Sequence, residues 1–338
     1  MASNSRRMIA LVTAAALLAG CVTTREGRIG ADDGTDSCRP QVVALDSTGN
    51  FFAEDILRGA AIGAVGGAAL GAIAGGDWRS ALIGAAAGGA AGAAGGYLAA
   101  LQQRSADQAG LRASLAADLG RENAELDRTQ GAFNQLMDCR FNQARQVREA
   151  YQQGRLPRSA AETEMANIRA RTQRDVQLAR SIDQRIGSRG AEFDTAVESV
   201  APGTKAMVLA SRNAAPVTAQ ARSPVALKLR PEAGAPEVGQ LAARQSVRIR
   251  PVAPGYALVQ SADGQRLGYA EQSAFNARGA LVAPRSIESR AQGAGPAVAD
   301  NDARTLAASN IARREGFSES VANAETAAQG GNGFELAG

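Results

Sequence analysis

The sequence predicts a chain with α and β structure in separate parts: a membrane glycine-rich helical hairpin, a long antiparallel coiled-coil hairpin, a small β-barrel and a disordered tail. Three observations predict it. Glycine recurs every fourth residue from Gly59 to Gly75 and again from Gly84 to Gly96. Apolar residues then step by three, four or seven from Leu111 to Tyr151, and again from Met165 to Val197. From Val225 to Phe275, short alternating strands are separated by turn residues.

The N-terminus supplies an address. Arg6 and Arg7 form a short positive region, and Met8 to Leu18 is an apolar stretch too short for a stable transmembrane helix. It ends in Leu18-Ala19-Gly20-Cys21, which resembles the lipobox of bacterial lipoproteins. The resemblance implies a signal peptide over 1–20, cleavage before Cys21, and acylation of Cys21 at the head of a lipidated linker, 21–55. Each buried methylene contributes about 0.8 kcal/mol, so more than one acyl chain anchors stably. By analogy with proteobacterial lipoproteins, Val22 at the next position favours the outer membrane. Two other cysteines, Cys38 and Cys139, would lie in an oxidising compartment. A disulfide between them would close a loop of roughly 100 residues and stabilise by up to about 4–5 kcal/mol. Free or intermolecularly paired thiols are the alternative.

Gly59, Gly63, Gly67, Gly71 and Gly75, then Gly84, Gly88, Gly92 and Gly96, would share one stripe of a helix. In water each helical glycine costs about 1 kcal/mol relative to alanine. In a bilayer the backbone must bond to itself, which favours helix, and small stripes let helices touch closely. Residues 56–101 are therefore read as a helical hairpin in or on a membrane, each arm near the ~20 residues needed to cross. Gly75-Gly76-Asp77 turns the chain, and Trp78 suits the interface. A phosphate-binding loop is disfavoured because no Gly-Lys-Ser/Thr follows. A flexible linker is disfavoured by Ile62, Val65, Leu70 and Ile73. With the lipobox, this pattern resembles the glycine-zipper segment of bacterial surface lipoproteins of the 17 kDa surface-antigen type. The resemblance implies outer-membrane association, a structural role and homo-oligomers.

Residues 102–200 read as the coiled-coil hairpin. One seam runs through Leu111, Leu115, Leu119, Leu126, Phe133, Met137, Phe141, Ala144, Val147 and Tyr151. The second runs through Met165, Ile168, Thr172, Val176, Ala179, Ile182, Ile186, Phe193 and Val197. Gly154 to Pro157 breaks the helices, and Ser159 with Glu162 reads as a capping box. Arg169, Arg171, Arg174, Asp175, Arg180, Asp183 and Arg185 read as a solvated face.

Residues 201–223 read as linker. The strands over 224–277 carry an Asp263-Gly264 hairpin signal. Leu227 to Arg230, Val238 to Leu241, Pro254 to Val259 and Gly268-Tyr269-Ala270 resemble the bacterial SH3 domain. The resemblance implies a module for cell-wall peptides or proteins, with Tyr256 and Tyr269 at the usual tryptophan positions of the groove. Residues 278–338, rich in Ala, Ser, Gly and Asn, read as disordered, with transient helix from Thr305 to Ala328.

Composition narrows the function. There is no histidine among 338 residues, which removes His-metal sites, Ser-His-Asp and Cys-His catalysis. No catalytic, cofactor or metal residues are expected. The 37 basic and 33 acidic residues nearly balance, giving no argument for nucleic acid. The expected function is a non-enzymatic outer-membrane lipoprotein facing the periplasm, with a structural or envelope-integrity role. Its expected partners are membrane lipid, further copies of itself, and peptidoglycan or an envelope protein. The alternatives are an oligomeric ring or pore of an envelope assembly or secretion system, and a targeting subunit for a cell-wall hydrolase.

Overall fold

A computed structural model describes residues 24–52, 97–98, 101–102, 105–277, 302–330 and 333–336. Cys21 and the whole glycine repeat from Gly59 to Gly96 lie outside the described residues. Among the described residues no helix is long and apolar enough to cross a membrane.

The stretch read as a linker after Cys21 is structured. Thr24 caps a short helix α1, Arg25–Ile29, by accepting a bond from the Gly27 amide at 3.1 Å. A second helix, α2, runs over 39–52. Its buried residues Val42, Leu45 and Phe52, with Cys38 just before it, fall three, four or seven apart and form one stripe.

Helices α3, Gln108–Gln152, and α4, Arg158–Val200, make the antiparallel hairpin. Asp107 starts α3 with a side chain that accepts from the Gly110 amide at 2.7 Å. Gly154, at φ +68°, turns the chain between the two. The Ser159 capping box does not form. Pro157 ends extended at φ −67° and ψ 153°, so the helix starts at Arg158 and takes Ser159 inside it. Arg158 instead pairs with Glu162 at 2.7 Å. Every residue of the second seam is buried; in the first, only the terminal Leu111, Val147 and Tyr151 stay half-buried.

The expected linker 201–223 holds helix α5, Thr204–Arg212, and strand β1, Val217–Ala221. The strands β2 Val225–Lys228, β3 Glu237–Leu241, β4 Ser246–Ala253, β5 Tyr256–Gln260, β6 Arg266–Glu271 and β7 Phe275–Ala277 follow. They form one antiparallel sheet in the order β3-β2-β6-β5-β4-β1-β7. The register puts Val247, Ile249, Ala257, Val259 and Ala270 on one face, packed with Leu227, Leu241 and Phe275 as a core. Gly268 lies where β6 passes β2; a Cβ there would sit 3.0 Å from the Lys228 carbonyl oxygen.

The tail is not disordered throughout. Ala303–Gly330 forms helix α6, which packs against both α3 and α4. Composition alone suggests too little apolar area to fold, but small residues suit a narrow groove. Ala307, Ala308, Ala324, Ala327 and Ala328 are buried there, with Phe317 stacked edge-on against Phe133 at 5.8 Å. Of the arginines read as a solvated face, Arg174 stays exposed, but others hold neighbouring segments. Arg169 donates to the Ala328 carbonyl at 2.8 Å, Arg180 pairs with Glu325 at 2.7 Å, and Arg171 donates to Thr35. Arg230 joins the sheet to Asp138 of α3 at 2.8 Å.

Phe317→Ala is expected to destabilise the protein by about 3–5 kcal/mol in urea denaturation. Met207→Ala, at a residue 41% exposed, should change stability by no more than about 0.5 kcal/mol.

Candidate functional site

The described residues build two linked features around the glycine-rich stretch: a clamp on its N-terminal flank and a seat for its two ends. The clamp begins with Cys38 and Cys139, which form a disulfide with Cα atoms 5.9 Å apart, 101 residues apart in sequence. It fastens the start of α2 to α3. The next residue in α3, Arg140, is 1% exposed. Its Nε donates to Asp175 of α4 at 2.6 Å, and its Nη1 and Nη2 donate to the two oxygens of Asp36 at 2.5 and 2.8 Å. One guanidinium thus ties three segments together with a bidentate bond to the strap before α2.

The two carboxylates answer burial differently. Burial works to raise Asp36, but its bonds from Arg140 outweigh this and hold it below the usual carboxylate range. Asp175 is more deeply buried, and loss of water pushes it up to about 6 despite the Arg140 bond.

Further along, α2 lies close on α4. Gly49 makes this approach; a Cβ there would fall 2.9 Å from Ile182 Cγ1. Phe51 reaches the guanidinium of Arg189, 4.8 Å from ring centroid to Cζ. That guanidinium also lies 5.5 Å from the Phe193 ring and donates to buried Glu122 at 2.7 Å. On the other side of Phe193 sits Tyr97, ring to ring at 4.8 Å, with its hydroxyl donating to Asp118 at 2.8 Å. Leu101 is buried with Leu115 and Leu119. The chain therefore leaves α2 and returns at Tyr97 on the same side of the α3–α4 hairpin.

Tyr256 and Tyr269 do not form an open groove. Tyr269 is 5% exposed, and its hydroxyl accepts from Asn323 of α6 at 2.6 Å. Burial, with Glu319 nearby, raises its pKa. Tyr256 stays half-buried at the start of β5, opposite Glu271. The reading of Tyr269 as a groove residue is corrected because α6 covers that face of the sheet. Among the described residues no group of three or more His, Cys, Asp or Glu could hold a metal ion.

Sequence reasoning missed the buried charges, although they leave a signal. Glu122, Arg140, Asp175 and Arg189 each stand three residues after and four before a seam residue. A charge in that place is a charge inside the seam, and each finds its opposite on the facing helix.

The raised pKa of Asp175 gives stability that is full below its ordinary value near 3.8 and lost as pH rises through about 6. The stability advantage of the wild type over Asp175→Asn should therefore shrink between pH 4 and 6, by up to about 3 kcal/mol, and level off above that. Urea denaturation of both proteins across this range measures it.

Residues 42–100 match a family model described as a YMGG-like Gly-zipper. The matched stretch takes in most of α2, the glycine repeat and the return at Tyr97. No curated protein and no solved structure matches the chain. The match supports a glycine-zipper protein and, with it, a membrane association.

Proposed function

We propose that the protein is a non-enzymatic lipoprotein of the bacterial outer membrane with a structural or scaffolding role in the envelope. The observation that carries this reading is the zipper match over 42–100, flanked on both sides by segments seated on the α3–α4 hairpin. Lipid would hold the protein at Cys21 and at the zipper, and the helices and sheet would face the periplasm. The Leu18-Ala19-Gly20-Cys21 sequence and the Cys38–Cys139 disulfide support an exported, oxidised chain. The absence of histidine supports a role without acid–base catalysis by imidazole. The small sheet keeps its resemblance to bacterial SH3 domains over 224–277. As an interaction module for peptidoglycan or an envelope protein, it would work through faces other than the one under α6.

Cell fractionation and lipid labelling test the anchor. The wild type is expected in the outer-membrane fraction and labelled by palmitate. Cys21→Ala should lose the label and leave that fraction; an unchanged location together with an unlabelled wild type would sink the lipoprotein reading.

The nine-glycine repeat favours a second reading, a homo-oligomeric ring or pore built by zipper contacts. Crosslinking in membranes should give a ladder that collapses in Gly67→Leu and Gly88→Leu. An identical ladder in the variants would mean that assembly does not run through the zipper.

A further inference from the structure

The sheet carries a strip of arginines, amides and hydroxyls that α6 leaves open. The register fixes it. Thr218 of β1 lies opposite Arg248 of β4, Arg248 opposite Gln260 of β5, and Gln260 opposite Arg266 of β6. One row away, Asn276 of β7 lies opposite Gln220, and Gln220 opposite Ser246. Their chain neighbours Ala219, Ala221, Val247 and Val259 point the other way and are buried. Helix α6 meets this face at Arg250, Tyr269 and Arg266, through Glu319 and Asn323. Beyond that contact Thr218, Gln220, Ser246 and Asn276 stay exposed.

The cations of the strip are not neutralised. Among the described residues, no carboxylate lies within 4.0 Å of the guanidinium of Arg222, Arg244, Arg248 or Arg266. Arg244 and Arg248 make no side-chain hydrogen bond there either. Arg222 and Arg266 commit one nitrogen each, to the Phe275 carbonyl at 3.1 Å and to Asn323 at 3.1 Å. Arg222 follows β1, and the Arg244 amide donates to the Ala221 carbonyl at 2.8 Å, so these two arginines flank one end of the strip. Arg248 is four residues beyond Arg244, no more than roughly 13 Å along the strand, and Arg266 is two strands over, about 10 Å. Asp263, in the turn beside Arg248, accepts from the Ser261 hydroxyl and makes no ion pair. Among the described residues Arg244 is alone, glycines aside, in taking a positive φ, +64°. That turn favours glycine or asparagine, so the backbone gives no reason for an arginine there.

We propose that this strip binds an acidic glycan, a linear polysaccharide carrying carboxylates. The arginines pair with the carboxylates through charge-assisted hydrogen bonds. The amides and hydroxyls between them donate to and accept from sugar hydroxyls. Other anionic partners fit less well. A single-stranded nucleic acid needs rings to stack on, and none of these residues is aromatic. An acidic peptide docks by side-chain pockets or a free strand edge, whereas this strip is polar and runs across β1, β4 and β5 inside the sheet. The sheet is tied to α3 at Asp138, ~30 Å along the helix from Asp118, which holds Tyr97 after the zipper. The strip is therefore not at the end of the bundle where the zipper is seated. The proposal gives the sheet a partner and does not rest on the lipid anchor at Cys21.

The test uses the full chain, oxidised and purified in detergent, titrated calorimetrically with hexagalacturonate, with neutral maltohexaose and with an oligothymidylate. Hexagalacturonate should bind at least about tenfold more tightly than maltohexaose and weaken as salt rises. Arg244→Gln with Arg248→Gln should weaken hexagalacturonate at least about tenfold and keep the wild-type melting temperature, because neither side chain makes a bond within the described fold. Arg112→Gln with Arg174→Gln removes the same charge from exposed positions of α3 and α4 and should leave the affinity unchanged. Gln220→Ala with Ser246→Ala should also weaken hexagalacturonate, which charge attraction alone does not predict. No binding of hexagalacturonate, an equal loss in both arginine pairs, or unchanged affinity after Gln220→Ala with Ser246→Ala would overturn the proposal. So would tighter binding of the oligothymidylate, or displacement of hexagalacturonate by phosphatidylglycerol added to the micelles.

Discussion

The structure depends on an alanine-faced helix lying in a groove. Helix α6 packs on α3 and α4, touches α5 through Ala308 and Ile311, and covers the β6 side of the sheet. Small side chains make this approach feasible, since each large one would push the axes apart. The groove is matched to it. A Cβ on Gly190 would overlap the guanidinium of Arg314, which reaches across to Asp194 and also donates to Asn310 one turn back on its own helix. The C-terminal end is tied as well, by Arg169 to the Ala328 carbonyl and, just beyond the helix, by Arg148 to the Gly333 carbonyl at 2.8 Å. A chain with only 4% aromatic residues thus joins a few buried phenylalanines, Phe133 and Phe317 among them, to close helix-to-helix packing.

Within that core, opposite charges set the alignment of the hairpin. Glu122 faces Arg189 and Arg140 faces Asp175, two pairs on one antiparallel register. Sliding α4 by a turn would part both pairs, while Arg140 would keep its bonds to Asp36. Removing the partner of a buried charge costs about 3–5 kcal/mol, which weighs against the shifted register. Asn123 and Asn310, bonded at 3.1 Å, place α6 against the same frame.

The seam residues of α3 and α4 were legible because their periodicity is set by the same burial that forms the hairpin. The strands from Val225 onward were legible for the same reason, through alternation, whereas β1 fell in the stretch read as linker. Helix α6 was not, because its buried face is alanine and asparagine, which carry little hydrophobic contrast against an Ala-rich background. Helix α2 was hidden by its shortness, with three apolar residues on its buried stripe. The Ser159 cap failed because local side-chain signals compete with Pro157, which fixes the backbone two residues earlier. Tyr269 was misplaced because a sheet face reads the same in sequence whether water or a distant helix lies on it. The partnership of Cys38 and Cys139 needed the strap's position, which the spacing of cysteines does not carry.

The disulfide has a mechanical consequence. Residues 38 to 139 form a covalent ring, and the whole stretch that matches the zipper family lies inside it. A force pulling that stretch away from the bundle loads α2 on one side and α3 on the other, and both load paths end at the same sulfur bridge. The contacts of α2 and α3 with α4 and α6 take that load first, and the bridge behind them keeps the two ends of the stretch from separating. However far that packing gives way, the two ends of the stretch stay fastened to one point of α3.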